Sequence, residues 1–215
     1  MTKKDDFTPL KAIIYYIPWT GFFWGVFLPV NLIYLFKYFN KPILGVYTAL
    51  LCCALFFFIY YGITKKINVF PIVTFSMTSI AFISFFLRHH KYLYYAVLGS
   101  GDYMLGTIFL ITILTPKPFI LYFVDEDNLK KIPDIIRDSK YYLRAWKIVT
   151  AVWGLMYIKV SLVLTYLRFI HSKDFDYISF VTGWPMVLIL LIFSVLFPHY
   201  YWSANIKNME KKDLN

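Results

Sequence analysis

Six long apolar runs constrain what this chain can fold into more than any motif does. Each has about 20 mostly apolar residues, the length that a helix needs to cross the hydrocarbon core of a bilayer. Membrane β-strands alternate in polarity, whereas these runs are continuously apolar. The sequence therefore predicts one all-α membrane domain over residues 1–215, a bundle of six transmembrane helices at about 13–36, 42–63, 67–87, 95–114, 145–167 and 177–200.

The composition supports this class. Hydrophobic residues make up 60% of the chain and charged residues 16%, against about 25% charged in a typical soluble domain. The mean hydropathy is +0.60. Bulky aromatics continue through the first run at Phe22, Phe23 and Trp24, with no small-residue cleavage site. We therefore expect the first run to stay in place as a span rather than to be removed as a signal peptide.

The net charge of +10 is distributed unevenly between the two predicted sides. Lysines and arginines gather on the cytoplasmic side of membrane proteins, so the richer side predicts the cytoplasm. That side would hold both termini, and binding of nucleic acid is not expected. The residues on it are Lys3, Lys4, Lys11, Lys65, Lys66, Lys117, Lys130, Lys131, Arg137, Lys140, Arg144, Lys147, Lys207, Lys211 and Lys212.

One connection is long, at residues 115–144, and we expect it to be a cytoplasmic loop. Pro133 and Asp134 look like a helix start, and mixed apolar and basic residues follow. This pattern predicts a short interfacial helix leading into the fifth span, and a solvated linker is the alternative. Its basic residues would bind anionic lipid headgroups, and they are Lys130, Lys131, Arg137, Lys140, Arg144 and Lys147.

Charge inside a span is costly, and Lys159 in the fifth run is the clearest case. It could face a water-filled cavity, or its long stem could reach the headgroups along the lipid surface. Asp102 follows the small residues Gly99, Ser100 and Gly101, which allow close helix approach. Its carboxylate is the natural partner for Lys159, although a helix cap is the alternative reading.

Other polar residues are weaker candidates. Arg88 could pair with Asp102 instead, and Asn31 in the first span could make a polar contact or mark a kink. Trp184 with Pro185 marks a possible kink in the sixth span. Each of these signals is more often structural than functional.

The outer side also gathers histidines, but without the fixed spacing of a metal site. His89, His90 and His171 could form a polar cluster there. Cys52 and Cys53 are adjacent and would point about 100° apart on a helix, so they predict packing residues rather than a disulfide. Phosphate-binding loops, hydrolase motifs and a selectivity-filter sequence are missing. No metal, cofactor or catalytic residue is predicted.

Several segments of the chain form a pattern that is similar to a known one. They are Lys65-Lys66, residues 71–74, residues 88–91, Lys117-Pro118-Phe119-Ile120, Leu143-Arg144-Ala145-Trp146 and residues 149–154. On these segments the chain over residues 65–201 resembles the bacterial intracellular septation protein A family, also called inner membrane-spanning proteins. The resemblance implies a small multi-pass protein of the bacterial inner membrane that serves envelope upkeep and division, and it implies no catalytic residue.

Three functions follow as hypotheses. The leading one is a non-enzymatic inner-membrane protein that supports the envelope through anionic lipids and other membrane proteins. A small-solute or ion transporter with Lys159 and Asp102 as its polar pair is the first alternative. A membrane enzyme acting on a lipid-like substrate is the second, and it would need the outer histidines to converge with Asp102.

The predicted orientation can be tested by cysteine labelling of the loops in a variant without Cys52 and Cys53. We expect a cysteine placed within residues 125–131 to react with a membrane-impermeant thiol reagent only after the membrane is opened. A cysteine in the turn at residues 88–90 should react in intact cells. Labelling of residues 125–131 from outside would contradict the orientation.

Overall fold

The computed structural model of the chain describes residues 18–124, 129–130 and 132–210. Within these residues every regular element is a helix, and six helical segments are long and apolar enough to cross a membrane. The predicted all-α bundle of six candidate spans is therefore confirmed. The side of the membrane on which the termini lie stays a prediction.

The first four spans are single helical segments joined by short turns. α1 contains one π-helical section, Phe23–Phe27, between two α-helical sections. The bounds are Trp19–Tyr38 for α1, Pro42–Thr64 for α2, Val69–Phe86 for α3 and Lys91–Thr112 for α4. Residues 13–17 of the predicted first span lie outside the described residues.

The described residues after α4 include a 3₁₀ helix and four α-helices. The fifth span is one long helix, and the sixth consists of two helices in succession. The bounds are Phe119–Tyr122 for the 3₁₀ helix, Asp134–Arg137 for α5, Lys140–Phe169 for α6, Phe175–Val181 for α7 and Trp184–Glu210 for α8.

Local chemistry sets the turn between α2 and α3. Lys65 adopts a left-handed conformation with φ of 56°, which ends α2 at Thr64. The Asn68 side chain then accepts a hydrogen bond from the backbone N–H of Phe70 at 3.1 Å. Because this bond satisfies one free N–H of the first turn, Asn68 starts α3 as its N-cap.

The helix predicted before the fifth span is much shorter than expected. α5 has four residues, with an ion pair between Arg137 and Asp134. The Ser139 hydroxyl accepts a hydrogen bond from the N–H of Tyr142 at 3.3 Å and so caps the start of α6. The fifth span therefore begins at Lys140 rather than near residue 145, and it takes up half of the expected interfacial helix.

The sixth span is interrupted where the sequence suggested a kink. α7 ends at Val181, and α8 begins at Trp184 with Pro185 in its first turn. Proline fits the first turn of a helix because the N–H that it lacks would have no partner there. Two shorter helices thus replace the continuous helix predicted over residues 177–200.

The closest helix pair is α4 with α6, which run antiparallel. A Cβ atom added at Gly106 would lie 2.8 Å from the carbonyl oxygen of Gly154, so the two backbones touch at this point. Seven residues away along each helix, the Ser161 hydroxyl donates to the carbonyl of Gly99 at 2.9 Å. Small residues and a hydrogen bond between helices are what membrane helices use in place of a hydrophobic driving force.

α2 lies at the edge of the bundle, packed against α1 and α3. Its outward side chains include Phe58 and Ile63, which are 68% and 79% exposed. In a bilayer such residues would contact lipid or another apolar surface.

Part of the long loop folds back into the bundle. Ile120, Leu121 and Phe123 are buried, and the Phe123 ring packs against Phe70 with centroids 5.0 Å apart. Part of the predicted cytoplasmic loop thus contributes to the core. Two ends of the bundle can now be named: the Arg88 end, with the turn between α3 and α4, and the Lys65 end, with the turn between α2 and α3.

The glycine contact between α4 and α6 predicts a difference between two Gly→Ala substitutions. Gly106→Ala pushes a methyl group into the backbone of Gly154 and should cost about 1–3 kcal/mol, as overpacking does. Gly62→Ala meets no atom within 4 Å and should leave stability unchanged or slightly raised. Thermal unfolding of the purified variants in one detergent compares them, and equal melting temperatures would contradict the contact.

Candidate functional site

A partly open cavity of about 260 Å³ lies among five of the six candidate spans. α1, α3, α4, α6 and the two halves of the sixth span all contribute lining residues, and so does Phe123 from the loop. Among the six candidate spans, only α2 contributes no described residue to the lining. The cavity is therefore at the centre of the packed bundle and not in a surface groove.

The lining residues of α4 and α6 follow helical spacing. On each helix they recur every three or four residues, which places them along one face. The register of the Gly106 and Gly154 contact turns both faces toward the same space. The two faces are Leu98, Gly101, Asp102, Leu105 and Phe109 on α4, and Trp153, Tyr157, Val160, Leu164 and Arg168 on α6.

Asp102 and Arg168 are the charged residues of the lining. They act on each other electrostatically, yet in the described part of the chain neither forms an ion pair. The Asp102 carboxylate also accepts no hydrogen bond from any described residue. Asp102 is half-buried and lines the cavity. A carboxylate and a guanidinium thus face one space without neutralising each other directly.

More polar groups border the cavity. The Thr74 and Thr78 side chains of α3 line it, and so does Tyr157, which lies within electrostatic range of Asp102. The Trp184 indole N–H is buried and has no hydrogen-bond partner among the described residues. The lining therefore offers unused donors in addition to the two charges.

α7 covers the Arg88 end of the cavity through three side-chain contacts. The hydroxyls of Tyr34 and Ser179 are 3.2 Å apart and share a hydrogen bond. Lys37 of α1 forms an ion pair with Asp176. The Arg168 guanidinium lies 4.7 Å from the centre of the ring of α7's first residue, Phe175. These contacts fix α7 against α1 and α6.

Aromatic rings form the other end of the lining. Phe109 stacks on Trp153 with ring centroids 5.5 Å apart and on Phe123 at 6.0 Å. The Trp153 indole N–H donates to the Ser194 hydroxyl at 2.8 Å, which fixes that ring in place. The cavity is thus amphipathic, with charges toward the Arg88 end and rings toward the Lys65 end.

Lys159 does not join this site. Its side chain is exposed, and a helical turn of about 100° per residue places it on the side of α6 roughly opposite the cavity. The predicted pair of Lys159 with Asp102 is not formed in the described structure, and Arg168 is the basic residue that lines the cavity together with Asp102. The position of Lys159 agrees with the alternative of a stem that runs along the lipid surface.

The remaining outer candidates also lie apart from the cavity. Arg88, His89 and His90 are exposed in the turn between α3 and α4, and His171 is exposed just after α6. The Asn31 amide donates to the carbonyl of the last residue of the π-helical section, Phe27, at 2.7 Å. Over the described ranges, no group of three or more His, Cys, Asp or Glu side chains is placed to hold a metal ion.

The predicted lipid-binding residues lie mostly on the surface of the Lys65 end. Lys130, Arg137, Lys140 and Arg144 are exposed, and Lys147 is half-buried. Lys131, with the acidic residues 125–127, lies outside the described residues. Lys140, Arg144 and Lys147 lie in the first turns of α6. Their spacings of four and three residues place them on one face of the helix.

The sequence reasoning missed Arg168, Tyr34 and Tyr157. The predicted fifth span ends at residue 167, one residue before Arg168, whereas α6 continues to Phe169. A signal existed: Arg168 is eleven residues beyond Tyr157 and fifteen beyond Trp153, which are three and four helical turns. Extending the helix face that carries Trp153 and Tyr157 toward the end of α6 reaches Arg168.

No family model matches this chain, and no curated protein or solved structure matches it either. The resemblance to the intracellular septation protein A family therefore stays a prediction from the residues quoted for it.

Proposed function

We propose that this multi-pass membrane protein is a carrier that binds a small polar solute in its central cavity. The observation that carries the proposal is the arrangement of Asp102 and Arg168, which line one cavity among five spans without a direct ion pair. Charged groups inside a membrane protein are expensive and mark the paths of substrates, ions or protons. The polar pair of the transport hypothesis becomes Asp102 with Arg168 in place of Asp102 with Lys159.

The broken sixth span supports a carrier. Residues at the junction of α7 and α8, Thr182, Gly183 and Trp184, line the cavity. Discontinuous helices form the substrate sites of many transporters. The π-helical section of α1 places Val26 in the lining as well, and π-helical turns are frequent at functional sites.

The enzyme hypothesis lacks similar support. It requires His89, His90 and His171 to converge with Asp102, and none of these histidines lines the cavity. A hydrolytic site also needs a nucleophile beside a base. The cavity offers hydroxyls and one carboxylate, with no histidine among the described lining residues.

A structural role in the bacterial envelope is the second candidate, as the resemblance implies. Its support is the edge position of α2, whose Phe58 and Ile63 side chains point away from the bundle. Such a surface suits contacts with lipid or other membrane proteins. Location in the bacterial inner membrane and a link to division belong to this proposal.

The carrier proposal can be tested without knowing the solute, because alternating access exposes the cavity to each side in turn. Asp102→Cys and Thr78→Cys are made in a Cys52→Ala/Cys53→Ala background and reconstituted in liposomes. A membrane-impermeant thiol reagent is then supplied either outside or trapped inside. We expect both cysteines to react from both sides, since both positions line the cavity.

The chain offers a matched control for this labelling. The Cys52→Ala variant keeps the native Cys53, which is fully buried in α2 away from the cavity. Its thiol should stay unreactive under both conditions, because reaction requires access to the reagent. Cavity cysteines that react no faster than Cys53 from either side would overturn the carrier proposal.

Anionic lipid is the partner that we propose for the basic face of α6. Lys140→Gln/Arg144→Gln should retain less phosphatidylglycerol than the wild type after extraction from mixed phosphatidylglycerol and phosphatidylcholine bilayers, because each basic residue near the surface adds about 1 kcal/mol of attraction. Native mass spectrometry counts the bound lipids. Lys41→Gln, an exposed lysine at the Arg88 end, is the control, and equal losses in both variants would contradict a specific site.

A further inference from the structure

We propose that the solute bound in the central cavity is a zwitterion with one aromatic or similarly bulky apolar group, of the size of a single aromatic amino acid. This inference rests on the proposed carrier function and names its substrate class. Its basis is the order of groups along the cavity. Arg168 and Asp102 provide a positive and a negative site at separate levels, and aromatic rings line the Lys65 end beyond them.

The register of α4 and α6 holds the two charges apart. Because Gly106 faces Gly154 and Ser161 faces Gly99, Asp102 is level with about residue 158 of α6. Arg168 is ten residues further along the helix, which is about 15 Å at 1.5 Å per residue. The Arg168 guanidinium lies over the Phe175 ring at the Arg88 end of the cavity, 4.7 Å from the ring centre. The two charged groups therefore stand at separate levels, and a short molecule suits the space between them.

The Arg168 site suits an anionic group such as a carboxylate. Arginine binds carboxylates through paired N–H donors. Trp184 lines the same cavity and is the first residue of α8, a helix of 27 residues whose N-terminal end carries the positive end of the helix dipole. The Arg168 guanidinium and this helix end thus both favour negative charge in the cavity.

The Asp102 site suits an ammonium group. Its carboxylate accepts no hydrogen bond from the described residues, and the Tyr157 side chain lies in the same lining. Carboxylates and aromatic faces are the partners that ammonium ions prefer in proteins. A solute with one charge would leave either Asp102 or Arg168 without a partner among the packed helices, and a charge withdrawn from water without a partner is costly. A zwitterion compensates both.

Size and polarity define the rest of the solute. A cavity of about 150 Å³ lined by apolar side chains holds benzene. The present cavity of about 260 Å³ therefore has room for one ring and a few polar atoms. The stacked rings of Phe109, Trp153 and Phe123 would receive the apolar group.

Binding of four probes to the purified full-length protein in lipid nanodiscs tests the inference. L-Phenylalanine carries both charges and a ring, phenethylamine lacks the carboxylate, 3-phenylpropanoate lacks the ammonium group, and glycine lacks the ring. We expect phenylalanine to bind at least about tenfold more tightly than each of the others, because each lacks one charged or apolar contact. Isothermal titration calorimetry gives the four dissociation constants.

Two substitutions test which side chain binds each charged group of the solute, and a third serves as the control. Asp102→Asn should abolish the preference for phenylalanine over 3-phenylpropanoate, and Arg168→Gln should abolish its preference over phenethylamine. Lys159→Gln removes a charge from the opposite side of α6 and should leave both ratios unchanged. Since the comparison of the four probes uses the wild-type protein, a variant that fails to fold does not remove the test.

The outcomes separate this inference from the carrier proposal. Tighter binding of a singly charged probe, equal binding of all four probes, or no binding at all would overturn the zwitterion. The carrier proposal would survive any of these results if Asp102→Cys is labelled from both sides. A cavity that stays closed to the reagent from both sides would overturn the carrier, whatever the probes do.

Discussion

The backbone contact between Gly106 and Gly154 determines the geometry on which the rest of the bundle depends. In a bilayer, helices gain little from hiding apolar side chains from one another, because lipid tails are equally apolar. Close approach at small residues, together with the bond from Ser161 to Gly99, therefore fixes how α4 and α6 lie. The same register turns Asp102, Phe109, Trp153 and Arg168 toward one interior space. In another register of α4 and α6, Asp102 and Arg168 would not line the same space.

Much of the architecture could be predicted from the sequence. The number of candidate spans follows from runs of apolar residues, and the break in the sixth span follows from Pro185. Helix ends were less predictable. Ser139 caps α6 five residues before its predicted start, and the helix continues past residue 167 to Phe169.

The site was harder to predict for a physical reason. In a soluble protein the polar side of a helix shows which side is buried, whereas a membrane helix is apolar on its lipid side as well as its core side. Lys159 was chosen as the exceptional charge, but it lies on the outside of α6. Arg168 was passed over because it stood near a predicted span end. Only the contacts between helices show which of two basic residues on one helix faces Asp102.

The segments that close the two ends of the cavity differ from the helices that form its walls. Phe123 comes from a folded-in loop and not from a span, and it meets the rings of Phe70 and Phe109 through side-chain contacts. At the opposite end, α7 is attached by an ion pair, a hydroxyl–hydroxyl hydrogen bond and a guanidinium over a ring. Both ends are thus closed by short segments, while the walls are long helices with satisfied backbones. A movement of either end would therefore break side-chain contacts and leave the backbone hydrogen bonds of the wall helices in place.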